Sequence, residues 1–213
     1  MTAPATRPAP GSYDTPDADR RPRAASPGAS LAKVAVMAAL MAVLGMAPAI
    51  PVAGVPAPIV VQNIAVTLAG VILGPWRGAA AMLLFNALVA LGLPLLTGGR
   101  GGLGVFAGPS VGFILGWVLA AFVVGLVFQG LTGRTRPGIG AGRVGVAAFV
   151  AGVVGGLVVL YACGLIGFIV AAGMEPGAAA LSMLTFVPGD LIKVVVAALL
   201  AAGLWKAYPR AFR

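Results

Sequence analysis

The chain has no histidine, a single cysteine (Cys163), and only 9% charged residues among its 213. Without histidine there can be no His-containing metal site, no Ser-His-Asp triad and no Cys-His pair. A lone cysteine inside an apolar run cannot form an intramolecular disulfide. Acid is equally scarce: five acidic residues occur, and three of them (Asp14, Asp17, Asp19) fall before residue 20. Soluble domains carry roughly 25% charged residues, so water is not the solvent for most of this chain. No G-x-x-x-x-G-K-[ST] is present, so the chain offers no phosphate-cradling loop for ATP.

What is present is apolar: 60% of the residues are hydrophobic, and the net charge is +9. The basic residues do not interleave with aromatics on one face, as nucleic-acid binding would need. They fall between apolar runs, as the loop charges of a membrane protein do. Residues 1–30 hold six prolines, four arginines and three aspartates without apolar periodicity, which reads as a disordered cytoplasmic tail. Arg20-Arg21 before an apolar stretch raises the question of a signal peptide. The context D-R-R-P-R-A-A-S matches poorly and Ala47-Pro48-Ala49 is a marginal cleavage site, so an uncleaved first membrane helix is expected.

From Lys33 onward, proline, glycine and arginine break the apolar runs. A spanning helix needs about 20 apolar residues, which predicts helices over 31–48, 59–75, 78–96, 109–130, 143–171 and 189–207, with a short lid segment over 176–186. The fold class is therefore an all-α integral membrane protein of six transmembrane helices, residues 31–213 forming one membrane domain. Six spans put both termini on one side. Arg7, Arg20, Arg21, Arg23, Lys33, Arg77, Arg134, Arg136, Arg143, Lys206, Arg210 and Arg213 all fall on that side, which the positive-inside rule makes cytoplasmic. The other side keeps Arg100 and Glu175.

Asp190 and Lys193, in P-G-D-L-I-K, lie one helical turn apart near the start of the last apolar stretch. An ionisable group costs about 2.5–3.5 kcal/mol at the centre of an inserted helix. Pro188 suits a first helical turn, where the dipole favours the charge of Asp190, and the spacing puts both side chains on one face. The plain alternative is a capping aspartate with a lysine snorkelling to the interface. Snorkelling on the outer side runs against the positive-inside bias, and intramembrane charges are commonly functional.

Arg100 interrupts a stretch in which six of the eleven residues from Gly98 to Gly108 are glycine. It reads either as a solvated charge on a flexible outer loop or as a ligand group. Glycines such as Gly99 and Gly101 let backbone N–H groups approach a ligand, and an arginine forks onto carboxylates or carbonyls. Gln62 and Asn63 open the second helix after a proline-rich turn, and Asn86 lies mid-way along the third. Buried amides in membrane helices often only bond another helix, which is the reading for Asn63; Asn86 shares its helix–loop unit with Arg100. Tyr161 offers a hydroxyl, although helical aromatics usually pack. Ala35, Ala38, Ala39 and Ala42 form two overlapping A-x-x-x-A patterns that allow close helix approach.

Three separated stretches carry a resemblance: V-P-A-P-I-V-V-Q-N-I-A-V-T-L-A-G-V-I-L-G-P-W-R-G, A-L-G-L-P-L-L-T-G-G-R-G-G-L-G-V-F-A-G-P-S-V-G-F-I-L-G-W and F-V-P-G-D-L-I-K. Together, in order over about residues 31–207, the chain resembles the BioY family. Those proteins are biotin-binding substrate-capture subunits (S components) of energy-coupling-factor transporters. The resemblance implies a multi-pass protein of the bacterial cell membrane, with biotin as the transported ligand and no cofactor or metal. It implies a membrane-embedded coupling protein and two ATPase subunits as partners.

The resemblance also implies a biotin pocket at the outer face, under the loops after helices one and three. Asn86, Arg100, Asp190 and Lys193 match polar positions that the family uses at or near biotin, and the alanine patterns of helix one match the face it presents to the coupling protein. Ser110-Val111 departs from the Thr-Gly common in the family, so hydroxyl contacts there do not carry over, and the connection from Gly173 to Ser182 is not diagnostic. On this basis Asp190 accepts from a ureido N–H, Asn86 bonds the ureido group, and Lys193 keeps Asp190 ionised. Arg100 is assigned the carboxylate, with Lys193 the alternative. An S component for another vitamin and, less simply, an intramembrane enzyme using Asp190 are the rival readings.

Overall fold

The computed structural model describes residues 27–133 and 138–212. Among the described residues the architecture is all helical: α1 (Pro27–Gly45), α2 (Asn63–Leu73), α3 (Pro75–Ala90), α4 (Val111–Thr132), α5 (Ala141–Ala172), α6 (Pro176–Leu184) and α7 (Val187–Ala207). The helices carry leucine, valine and isoleucine on outward faces: Val36, Val170 and Leu199 are 69%, 78% and 67% exposed. In water such patches would not persist on a monomer; in lipid they face their natural solvent.

Among the described residues, four helices are long and apolar enough to cross a membrane: α1, α4 (22 residues), α5 (32 residues) and α7 (21 residues). The helices within the other two expected spans are shorter than expected. At 11 residues α2 reaches roughly 16 Å, short of the ~30 Å hydrocarbon thickness, and α3 has 16 residues. The helix expected from residue 59 begins at Asn63 because Pro56 and Pro58 bias the chain toward extended geometry. That stretch instead folds back, Ile50 and Ile59 pairing as an antiparallel bridge. The third helix starts at Pro75 rather than 78 and ends at Ala90 rather than 96. Gly74, at φ +79°, turns the chain directly from α2 into α3, and Gly92, at φ +101°, and Pro94 prevent the helix from continuing.

The tail boundary also moves: Pro27–Ser30 form the first turn of α1, as proline at a helix start allows, while residues 1–26 lie outside the described residues. So do Arg134, Arg136 and Arg213. In α1, Val34, Met37, Ala38 and Met41 are buried, the i, i+3, i+4, i+7 stripe of a core-facing helix. Ala38 therefore points into the bundle and Ala42 is half-buried, leaving Ala35 and Ala39 on the outward face. Of the four alanines, those two alone are exposed.

Helix α4 is the hub, packed against α2, α3 and α5. Its crossing with α5 is close because glycine faces glycine: a Cβ at Gly167 would lie 2.7 Å from the backbone nitrogen of Gly112. A π-helical stretch, Gly152–Val159, interrupts α5 where it presses on α4. At one end of the bundle Lys33 Nζ donates to the Ala211 carbonyl at 3.2 Å and Trp205 Nε1 to the Ile139 carbonyl at 2.9 Å. At the other end, α6 covers a small aromatic cluster in which Phe113 meets Phe168 and Phe186 edge-on at 5.6 and 5.9 Å. The Glu175 carboxylate caps α6 by accepting from Ala178 N at 3.0 Å. The backbone N–H groups of Gly177 and Ala178 hold that carboxyl below its ordinary pKa.

Candidate functional site

Asp190 sits in the first turn of α7 and is only 4% exposed. A carboxylate buried so far needs partners, and it has three. Lys193 Nζ donates to Oδ1 at 2.6 Å, Tyr161 OH donates to Oδ2 at 2.8 Å from α5, and Asn63 Nδ2 donates to Oδ1 at 3.4 Å from α2. The expected i, i+3 pair is therefore an ion pair turned into the bundle. Trp117 Nε1 donates to Asn63 Oδ1 at 3.0 Å, which fixes the orientation of that amide: its NH2 faces Asp190. Three helices thus meet at one carboxylate, and α4 bears on it through Asn63.

Above it lies a cleft whose empty space, open solvent at its mouth included, is about 510 Å³. Ile59, Ile114, Phe113, Trp117 and Phe186 supply apolar walls; Arg100, Ser110, Asn63, Asp190 and Lys193 supply polar atoms. Such a surface takes a largely apolar molecule with a few polar groups at set positions. Lys193 neutralises Asp190. Arg100 is exposed and makes no ion pair among the described residues; its Nε donates to the Thr97 carbonyl at 3.3 Å. The site therefore holds one cation in excess, placed for an anionic group on a ligand.

The structure thus brings Arg100, Asp190 and Lys193 together around the cleft, with Tyr161 behind Asp190. Asn86 does not line the cleft but bonds a residue that does: its Nδ2 donates to the Ile114 carbonyl at 2.8 Å, and its Oδ1 is buried without a partner. Gln62 borders the cleft but its amide is fully engaged. Nε2 donates to the Met41 and Leu95 carbonyls at 3.1 and 3.2 Å, and Oε1 accepts from Thr97 N and Oγ1 at 3.3 and 2.9 Å. Gly99 and Gly101 shape the turn rather than the cleft. Gly99 has φ +70°, and a Cβ on Gly101 would meet the Leu93 carbonyl; around them Leu96 and Arg100 pair as a short bridge.

Three contributors escape the sequence reading. Asn63 bonds across helices, as expected, but its partner is the site carboxylate. Trp117 and Phe186 appear in the sequence only as aromatics in apolar runs, and nothing local distinguishes them from packing residues.

The BioY family model matches residues 20–210 of the chain. The biotin transporter BioY of Rhodobacter capsulatus is 46% identical over 187 residues, covering 84% of this chain and 94% of the relative. The biotin transporter BioY of Rhizobium etli is 43% identical over 179 residues, with the same coverage of 84% and 94%. Among solved structures, a crystal structure of the S-component for biotin from an ECF-type ABC transporter superposes with a TM-score of 0.77 at 31% identity, covering 86% of this chain and 95% of that one.

Proposed function

The chain belongs to the BioY family, and we propose that it is the membrane subunit that captures biotin for an energy-coupling-factor transporter, in the cleft above Asp190. It is a transporter subunit and not an enzyme. The observation that carries the assignment of the cleft is the Asp190 carboxylate, braced on both oxygens and set beside the apolar walls of Ile59, Phe113, Ile114, Trp117 and Phe186.

Biotin presents an apolar bicycle and valeryl chain, a ureido group with two N–H donors and one carbonyl, and a terminal carboxylate. Asp190 Oδ2 accepts one bond from Tyr161 and keeps a lone pair for a ureido N–H. Asn63 and Lys193, both along the cleft wall, lie on the side of the ureido carbonyl. Arg100 takes the carboxylate, because it is the cation that Asp190 does not neutralise. Asn86 acts from behind the wall, tethering the Ile114 backbone.

The end of the bundle away from the cleft gathers Lys33, Arg77, Arg143, Lys206 and Arg210. The positive-inside rule makes that end cytoplasmic, so in this reading the cleft opens outward and both termini lie on the cytoplasmic side of a bacterial cell membrane. The extended segment before α2 completes the second of six crossings; non-helical backbone is tolerated at depth when it lines a cavity. ATP hydrolysis comes from two partner ATPases through a membrane-embedded coupling protein that docks on the outward face of α1.

Calorimetry on the purified chain in lipid nanodiscs, with biotin, thiamine, riboflavin and folate, tests the ligand. Saturable binding of biotin alone is expected. Saturable binding of another vitamin with biotin ignored would overturn the assignment.

A further inference from the structure

Gln62 is 1% exposed, and its amide hydrogen-bonding atoms all contact the backbone or side chain of two other segments. It holds the Met41 carbonyl of α1 and, from the loop that follows α3, the Leu95 carbonyl, Thr97 N and Thr97 Oγ1. The loop itself touches α1 closely: a Cβ on Gly45 would collide with the Leu95 carbonyl and lie 2.8 Å from Gln62 Nε2. Thr97, 2% exposed, is thus clamped at N and Oγ1 by one amide oxygen. Its carbonyl then receives Arg100 Nε at 3.3 Å, and the Leu96–Arg100 bridge closes the turn between them.

An exposed arginine on a glycine-rich turn would ordinarily sample many rotamers, and ordering it on a ligand would cost entropy. Here the guanidinium hangs from a buried, doubly held threonine. We propose that Gln62 and Thr97 are positioning residues that pre-orient Arg100 over the cleft, so that the affinity Arg100 contributes depends on the Gln62–Thr97 clamp. This rests on the biotin reading above and extends it to two residues that need not touch the ligand. Gln62 thereby changes from a candidate ligand contact to the anchor of the loop that carries one.

The test is a double-mutant cycle read by calorimetric Kd for biotin, using Thr97→Val, Thr97→Ser, Arg100→Ala and the Thr97→Val/Arg100→Ala pair. Gln62→Leu serves as a second probe where thermal unfolding shows that it folds. Thr97→Val removes one hydrogen bond while leaving Gln62 in place. It is expected to weaken biotin about tenfold, whereas Thr97→Ser keeps the hydroxyl and wild-type affinity. Arg100→Ala weakens biotin, and adding Thr97→Val to it costs no more, because coupled residues are non-additive. Wild-type affinity in Thr97→Val, additive losses, or an Arg100→Ala variant that binds normally would each overturn the clamp while biotin binding stands. A wild-type chain that does not bind biotin removes the biotin reading and the clamp together.

Discussion

Tyr161 OH lies 2.8 Å from Asp190 Oδ2, a bond from α5 to α7 between residues 29 apart in sequence. It occupies the oxygen that Lys193 does not touch. The carboxylate is therefore braced from both sides and cannot rotate freely toward either, which sets the direction of its remaining lone pairs.

Replacing that hydroxyl isolates the brace. Tyr161→Phe keeps the ring and loses one hydrogen bond, worth about 1.5–3 kcal/mol when its acceptor is charged. Biotin Kd should rise by ten- to a hundredfold, within about those limits. Unchanged affinity by calorimetry would mean that Tyr161 only packs.

Asp190 and Lys193 should separate stability from function. Removing one partner of a buried pair costs about 3–5 kcal/mol, while replacing both is often neutral. Asp190→Asn and Lys193→Met should each lower the unfolding temperature in detergent, and the double variant should recover most of it. None of the three should bind biotin tightly. Tight binding by the double variant would dismiss the ion pair as a ligand site.

Arg100 should discriminate the charged end of the ligand. Arg100→Ala is expected to weaken biotin by about 1.5–3 kcal/mol, the range for a hydrogen bond to a charged group, and to leave biotinamide unaffected. A preference for biotin over its amide that persists unchanged in Arg100→Ala would move the carboxylate assignment to Lys193.

The α4–α5 contact tests the fold rather than the site. A methyl at Gly155 would sit 2.5 Å from Val124 Cγ2 and 2.8 Å from the Ala120 carbonyl, and overpacking of this kind costs typically 1–3 kcal/mol. Gly155→Ala should lower the unfolding temperature. An unchanged melting curve would show that the π stretch relaxes to admit the methyl.

The long helices were legible because apolar run length and proline or glycine breakers are local signals. The expected 109–130, 143–171 and 189–207 lie within two residues of α4, α5 and α7 at each end. Helices α2 and α3 are shorter than expected because Gly92 and Pro94 stop α3 inside a largely apolar stretch, while residues 59–62 stay outside α2, Ile59 pairing with Ile50 instead. Hydropathy does not distinguish a buried extended segment from a buried helix.

By itself the sequence determined the solvent, the helical class and the Asp190–Lys193 pair, since an i, i+3 contact needs only a helix to form. Its three motifs also pointed to the family. The tertiary structure decided what each amide does. Asn63 reaches Asp190 across 127 residues, Gln62 turns its amide to a loop, and Asn86 turns to the α4 backbone. A side-chain amide carries both donors and an acceptor and bonds whatever the packing brings near it, so its role is set by neighbours in space and not by its place in the chain.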